Sequence, residues 1–187
     1  MKYMLRLVLF GILALLFNNA TAQIEVGDKA PLFKAKDDEG KTWNLKSYIG
    51  KKNVVLYFYP AAMTGGCTKQ ACAYRDDKAN FDGMNAVVVG LSGDEVKNLK
   101  IFADVYDLNF PLLADEDGTI AKAYGVPVKD GGSIEREYKG GPVTMTRGVT
   151  SSRWTFIIDK KGKVAYINKE VNASEDSKEV MAVLKKL

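Results

Sequence analysis

The chain carries two cysteines, Cys67 and Cys72, with four residues between them in the stretch YPAAMTGGCTKQACAYRD, and it has no histidine. Two thiols at that spacing invite three readings: a structural pair, a metal clip or a redox couple. Two thiolates with no histidine and no further cysteine make an incomplete set for structural zinc or an iron–sulfur cluster. No metal is therefore expected. The spacing also departs from the C-x-x-C of disulfide-exchange sites. In an unbroken helix, positions five apart are separated by a rise of about 7.5 Å and a rotation of about 140°, which puts their Cα atoms roughly 8–9 Å apart. A disulfide needs about 7 Å or less. Either no helix forms across these residues, or it unwinds when the bond forms. The run TKQACAYRDDKANF suits a helix, so the pair reads as switchable.

Gly65 and Gly66 precede Cys67 where a strand-to-helix loop should end. Such a place offers unpaired N–H groups and the positive end of the helix dipole, both of which favour a thiolate. A buried, inert cysteine is the competing reading. Thiolate formation alone gives little speed. A thiol whose pKa falls from about 8.5 to about 6 gains roughly 30-fold in thiolate at pH 7. It loses about 10-fold in intrinsic nucleophilicity. A fast reaction therefore needs donors that stabilise the transition state. The nearby candidates are the Thr64 hydroxyl and the N–H groups of Gly66 and Cys67. Arginine is the best permanent cation for the task. Arg153 and Arg147 are the distant options, whereas Arg75 reads as solvated or paired with an acid of its own helix.

The elements that must hold these residues follow from pattern. APLFKAKDDEGKTWNL reads as two short strands joined at Asp38–Gly40. NVVLYFY (Asn53–Tyr59) and AVVVGLS (Ala86–Ser92) are continuous apolar runs, as in strands buried on both faces. Thr68 to Phe81, Glu95 to Tyr106 and Thr119 to Tyr124 read as helices. Lys129 to Ser151, rich in Gly, Ser and Thr, reads as a long loop or flexible hairpin. WTFIID (Trp154–Asp159) and KVAYIN (Lys163–Asn168) form a strand pair, and a final amphipathic helix is expected with Asn172 and Glu175 as its capping box. This order is the α/β, thioredoxin-like pattern: a central mixed sheet flanked by helices, with an N-terminal β-hairpin.

Lys2, Arg6, the apolar run Leu7–Phe17 and Ala20-Thr21-Ala22 have the form of an export signal cleaved before Gln23. The alternative is a retained anchor through residues 7–17, which is short of the roughly 20 residues a span requires. Residues 1–22 are thus read as signal and 23–187 as one domain. The expected location is an oxidising compartment such as the periplasm, where a disulfide can persist. Removing Lys2 and Arg6 lowers the formal charge from +4 to +2. The remaining charges are interspersed, so neither nucleic acid nor stable membrane association after cleavage is expected. A monomer is expected.

Pro60-x-x-x-Thr64-x-x-Cys67 resembles the peroxiredoxin active-site pattern. The wider stretch is similar to the peroxiredoxin Q, or bacterioferritin-comigratory-protein, group. VGDKAPLF, NVVLYFYP, FADVYDLNFPLLADEDGTIAKAYGV and SSRWTFIIDKKGKV follow in family order. The resemblance implies that Cys67 attacks a peroxide to become a sulfenic acid, which Cys72 resolves as an intramolecular disulfide. It implies that Thr64, Gly66, Cys67 and Arg153 contact substrate, and that Pro60 shields the thiol. It also implies a thioredoxin-like dithiol as reductant and no cofactor. This sequence departs from the usual pattern in three places. Gly65 stands where proline is usual, Gln70 stands for a glutamate, and the segment between Val126 and Arg153 is longer and contains Arg147. Two other functions compete with peroxide reduction. One is an extracytoplasmic thiol–disulfide oxidoreductase, which the C-x4-C spacing opposes. The other is a non-catalytic domain with a static disulfide.

Overall fold

The computed structural model describes residues 23–187. The leader over 1–22, and with it the alternative anchor over 7–17, lies outside the described residues. Among the described residues no helix is long and apolar enough to cross a membrane.

The run of apolar residues at Asn53–Phe58 forms β3, and every residue of it is buried. A central strand covered on both faces has no solvent side, so its sequence need not alternate. Strand β3 pairs in parallel with β4 (Ala86–Ser92) and antiparallel with β8 (Trp154–Ile158). Beyond β4 lie β5 (Leu112–Ala114), β1 (Lys34–Asp37) and β2 (Thr42–Asn44). Beyond β8 lies β9 (Val164–Asn168), giving the order β2-β1-β5-β4-β3-β8-β9. The expected N-terminal hairpin is present as β1–β2, and its β1 strand is stitched to β5.

Alternate residues of β3 enter two cores, because side chains along a strand point to opposite faces. Val55 and Tyr57 pack with residues of α1 (Gly65–Asp76), α2 (Lys78–Gly83), α3 (Val96–Tyr106) and α5 (Asp176–Leu184). Val54, Leu56 and Phe58 pack with α4 (Thr119–Ala123) and the N-terminal hairpin. This is the mixed, helix-flanked sheet expected of a thioredoxin-like fold.

The structure corrects two local expectations. The helix expected over Thr68–Phe81 starts earlier, at Gly65, and breaks at Asp77 into α1 and α2. Helix α5 begins at Asp176, with Glu175 at its N-cap. Asn172 is engaged in a preceding turn: its side-chain oxygen accepts from the N–H and hydroxyl of Ser174. Asn and Asp side chains commonly divert the backbone in this way.

For Lys129–Ser151 the hairpin alternative holds and the loop does not: the segment is an extended antiparallel ribbon. Its strands are β6 (Val128–Tyr138) and β7 (Gly141–Ser151), paired almost throughout. Two of the glycines that make the segment look loop-like, Gly131 and Gly148, serve close backbone approach. A Cβ on Gly148 would collide with the Glu116 carbonyl oxygen, and one on Gly131 would collide with the carbonyl of Arg147. The ribbon is also anchored to the body. Gly148 N–H donates to Gly93 O at 2.9 Å, Asn98 Nδ2 donates to Thr146 O at 2.7 Å, and Met145 is fully buried in the core that contains Cys67.

Gly148→Ala is therefore expected to destabilise the protein by about 1–3 kcal/mol, the usual cost of overpacking. Gly141→Ala, whose Cβ meets nothing within 4 Å, should stay within about 0.5 kcal/mol of wild type. Urea unfolding of both variants checks the pair.

Candidate active site

The loop from Pro60 to Thr64 leaves the end of β3 and is held on several sides. Ser151 Oγ donates to Tyr59 O at 3.0 Å. The Ala62 N–H donates to Asp94 Oδ2 at 2.8 Å, and Ser92 Oγ donates to the same oxygen at 2.8 Å. Asp94 is buried. Burial pushes its carboxyl up, and the bonds from Ala62 and Ser92 act in the opposite sense. Met63 has a left-handed φ of 56°, and its carbonyl accepts from Arg136 Nε at 3.0 Å. A non-glycine residue in that region persists only when its surroundings hold it. Asp94 on one side and the ribbon's Arg136 on the other do so.

Thr64 is the N-cap residue of α1, but its side chain makes no capping bond. Its hydroxyl donates to Ala61 O at 2.9 Å. A threonine at this position ordinarily accepts from a first-turn N–H. Here the first-turn donors beside Cys67 are left for another acceptor, with the helix dipole adding positive potential.

Cys67 lies in that first turn and is 1% exposed. The hydrogen bond to its sulfur comes from Arg153, whose Nη2 is 3.3 Å from Sγ. Gly66 makes room for the guanidinium, since a Cβ there would meet Nη2 at 3.2 Å. The other arm, Nη1, donates to Gln70 Oε1 at 2.5 Å. Gln70 is fully buried and passes the contact on, with Nε2 donating to Asp176 Oδ2 at 2.7 Å. That oxygen also accepts from the Tyr74 hydroxyl at 2.6 Å and from Thr155 Oγ1 at 2.8 Å. Asp176 Oδ1 is buried without a partner among the described residues. Burial raises the Asp176 carboxyl above the ordinary range, opposed by its three donors and by the charge of Arg153.

Of the residues singled out from sequence, Cys67, Gly66 and Arg153 meet at one point. Thr64 sits at the cap with its hydroxyl bonded to Ala61 O, and Pro60 lines a surface cavity with Pro127, Val128 and Ser152. Cys72 is half-buried on the same unbroken helix as Cys67, and both thiols are free. Arg147 stands apart from the thiol and donates to Thr150 Oγ1 at 2.9 Å. Arg75 pairs with Asp76 at 2.8 Å and also donates to Tyr106 O. Sequence reasoning missed Asp94, Arg136 and Asp176. It noted Gln70 only as a departure. Cys67, Gln70, Ala71 and Tyr74 form the buried stripe of α1, and a glutamine in such a stripe is a readable signal of a buried polar partner.

The family model described as AhpC/TSA matches residues 26–167. The chain is 40% identical over 161 residues to the putative peroxiredoxin bcp of Coxiella burnetii, covering 86% of this chain and 99% of that protein. It is 39% identical over 171 residues to a chloroplastic peroxiredoxin Q of Populus jackii, covering 91% of this chain and 72% of that one. The crystal structure of peroxidoxin BcpB from Mycobacterium tuberculosis superposes with a TM-score of 0.74 at 33% identity, over 88% of this chain and 99% of that one. The matched span runs from the N-terminal hairpin through the Cys67 loop to Arg153 and β9, and on that likeness of sequence and fold the chain belongs to the AhpC/TSA family, among its peroxiredoxin Q and bcp members.

Proposed function

We propose that this thiol-dependent peroxidase reduces hydrogen peroxide and organic hydroperoxides through a Cys67 sulfenic acid that Cys72 resolves. The observation that carries the reading is the Arg153 guanidinium 3.3 Å from a buried Cys67 sulfur at a helix N-terminus. A fixed cation and unpaired N–H groups stabilise both the thiolate and the oxyanion that forms as the peroxide bond breaks. The Cys67 thiolate attacks one peroxide oxygen. An S–O bond forms, the O–O bond breaks, and hydroxide or alkoxide leaves with the electron pair and takes up a proton. The sulfur is oxidised to a sulfenic acid. Thr64 serves the substrate by turning its hydroxyl from Ala61 O toward the peroxide. Pro60 covers the approach.

The Cys72 sulfur then attacks Cys67 Sγ, an S–S bond forms, and water leaves with the sulfenic oxygen and the Cys72 proton. Helix α1 must open for this step, because its geometry holds the two Cα atoms roughly 8–9 Å apart. A thioredoxin-like dithiol returns the pair to thiols by exchange and is itself oxidised. The leader over 1–22 directs export, with cleavage before Gln23, and the mature protein acts as a monomer in the periplasm.

Cys67→Ser should abolish peroxide consumption by the reduced protein. Cys72→Ser should keep the first turnover and accumulate a trappable sulfenic acid. A Cys67→Ser variant that consumes peroxide at the wild-type rate refutes the assignment. Arg153→Lys should slow Cys67 oxidation about 100-fold, as loss of an oxyanion donor does, measured by stopped flow. Amide exchange across Thr68–Tyr74 should be faster in the oxidised than in the reduced protein. Equal exchange in the two states would exclude opening of α1.

A further inference from the structure

We propose that Asp176, on the C-terminal helix, is a positioning residue for Arg153 and acts through Gln70. The inference rests on the peroxidase reading above, which uses Arg153 but leaves open what holds it. Gln70 has two unlike ends. Its NH2 faces the Asp176 carboxylate, so its carbonyl oxygen is the end presented to Arg153. The acid thus sets the polarity of the amide, and the amide supplies the acceptor that orients the guanidinium. The negative charge that balances Arg153 lies one residue further from the thiol than a direct Arg–carboxylate pair would put it.

Asp176 is also the common point of the two elements that bear the reacting groups. Gln70 and Tyr74 reach it from α1, which carries Cys67, and Thr155 reaches it from β8, next to Arg153. Nothing in the fold requires a charge there. A buried carboxylate with one bare oxygen is costly, and apolar or neutral groups of like shape often serve stability better. When α1 opens to bring Cys72 to Cys67, Gln70 and Tyr74 must release Asp176, so the support of Arg153 is dismantled together with the helix.

The chemistry specifies a reciprocal test. Gln70→Glu places a second carboxylate 2.7 Å from the Asp176 oxygen, and like charges that close cannot both stay ionised. In the double variant Gln70→Glu/Asp176→Asn the acid and the amide have exchanged places. The carboxylate on α1 then faces Arg153, and the amide on α5 donates one N–H to it and the other to one of the Tyr74 and Thr155 hydroxyls. Oxidation of reduced full-length protein by hydrogen peroxide is followed by stopped-flow tryptophan fluorescence. The expected result is a loss of about 100-fold for Gln70→Glu, the scale of a misplaced catalytic group, with a smaller loss for Asp176→Asn. The double variant should be faster than either single variant. If Gln70→Glu does not fold, the comparison of the double variant with Asp176→Asn alone decides.

Stability gives a second readout. The groups facing Asp176 are Arg153, Gln70 and Tyr74, Thr155, Tyr57 on β3 and Tyr166 on β9. Burial holds the three tyrosines above the usual tyrosine range. An acid whose folded pKa is raised binds its proton more tightly in the folded state, so wild type loses stability as pH rises from about 4 through that raised value. Asp176→Asn has no such loss. Its urea midpoint should gain on wild type as pH rises, while its rate deficit against wild type widens. A purely structural Asp176 would move stability and rate together. Wild-type protein that leaves peroxide untouched overturns the peroxidase reading itself. Active wild type with wild-type rates in both single variants, or with a double variant no faster than Asp176→Asn, overturns only the role of Asp176.

Discussion

A thiol buried to 1% exposure can work as a nucleophile only where its negative charge is met by fixed donors, and here that donor is the Arg153 guanidinium. The rest of the structure can be understood as what this contact needs. Helix α1 must begin at the strand-to-helix turn so that Cys67 lies in its first turn, within reach of Arg153. Gly66 must lack a side chain so that the guanidinium fits above the turn. Strand β8 must lie beside β3, because that register brings residue 153 next to the end of the strand that launches the Pro60–Thr64 loop. Two cores, one on each face of the sheet, fix these elements relative to one another.

The same helix that assembles the site opposes the resolving step proposed above. Cys67 and Cys72 share an unbroken α1 whose buried stripe, Gln70, Ala71 and Tyr74, is packed and hydrogen-bonded. In that proposed step this stripe leaves its partners.

The β6–β7 ribbon adds a second kind of support. It presses Met145 into the Cys67 core, and its Arg136 holds the carbonyl of left-handed Met63. It thereby stiffens the loop on the side opposite Asp94. A segment inserted between α4 and β8 is thus integrated with the site and does not merely decorate the surface.

The sequence by itself determined a good deal. Continuous apolar runs marked β3 and β4, and the 3.6-residue pattern marked α3. Paired glycines ahead of a cysteine marked the start of a reactive helix. Two cysteines at C-x4-C spacing excluded a bond within an intact helix, because helix geometry is local and independent of context. Arg153 was legible as a cation at the start of a strand. Tertiary structure alone decided the remainder. Whether the glycine-rich segment is a loop or a hairpin was left open by its pattern, and Gly131 and Gly148 meet backbone from Arg147 and Glu116 in contacts with no sequence periodicity. The Asn172 turn competed with a capping box, and local pattern could not say which would form. Asp176 lies 106 positions from Gln70, and its meeting with Gln70, Tyr74 and Thr155 is created by the docking of α5 against α1 and β8. Spacing along the chain specifies only what neighbours do. The support of Arg153 is a long-range contact, and it exists only once the helices have packed on the sheet.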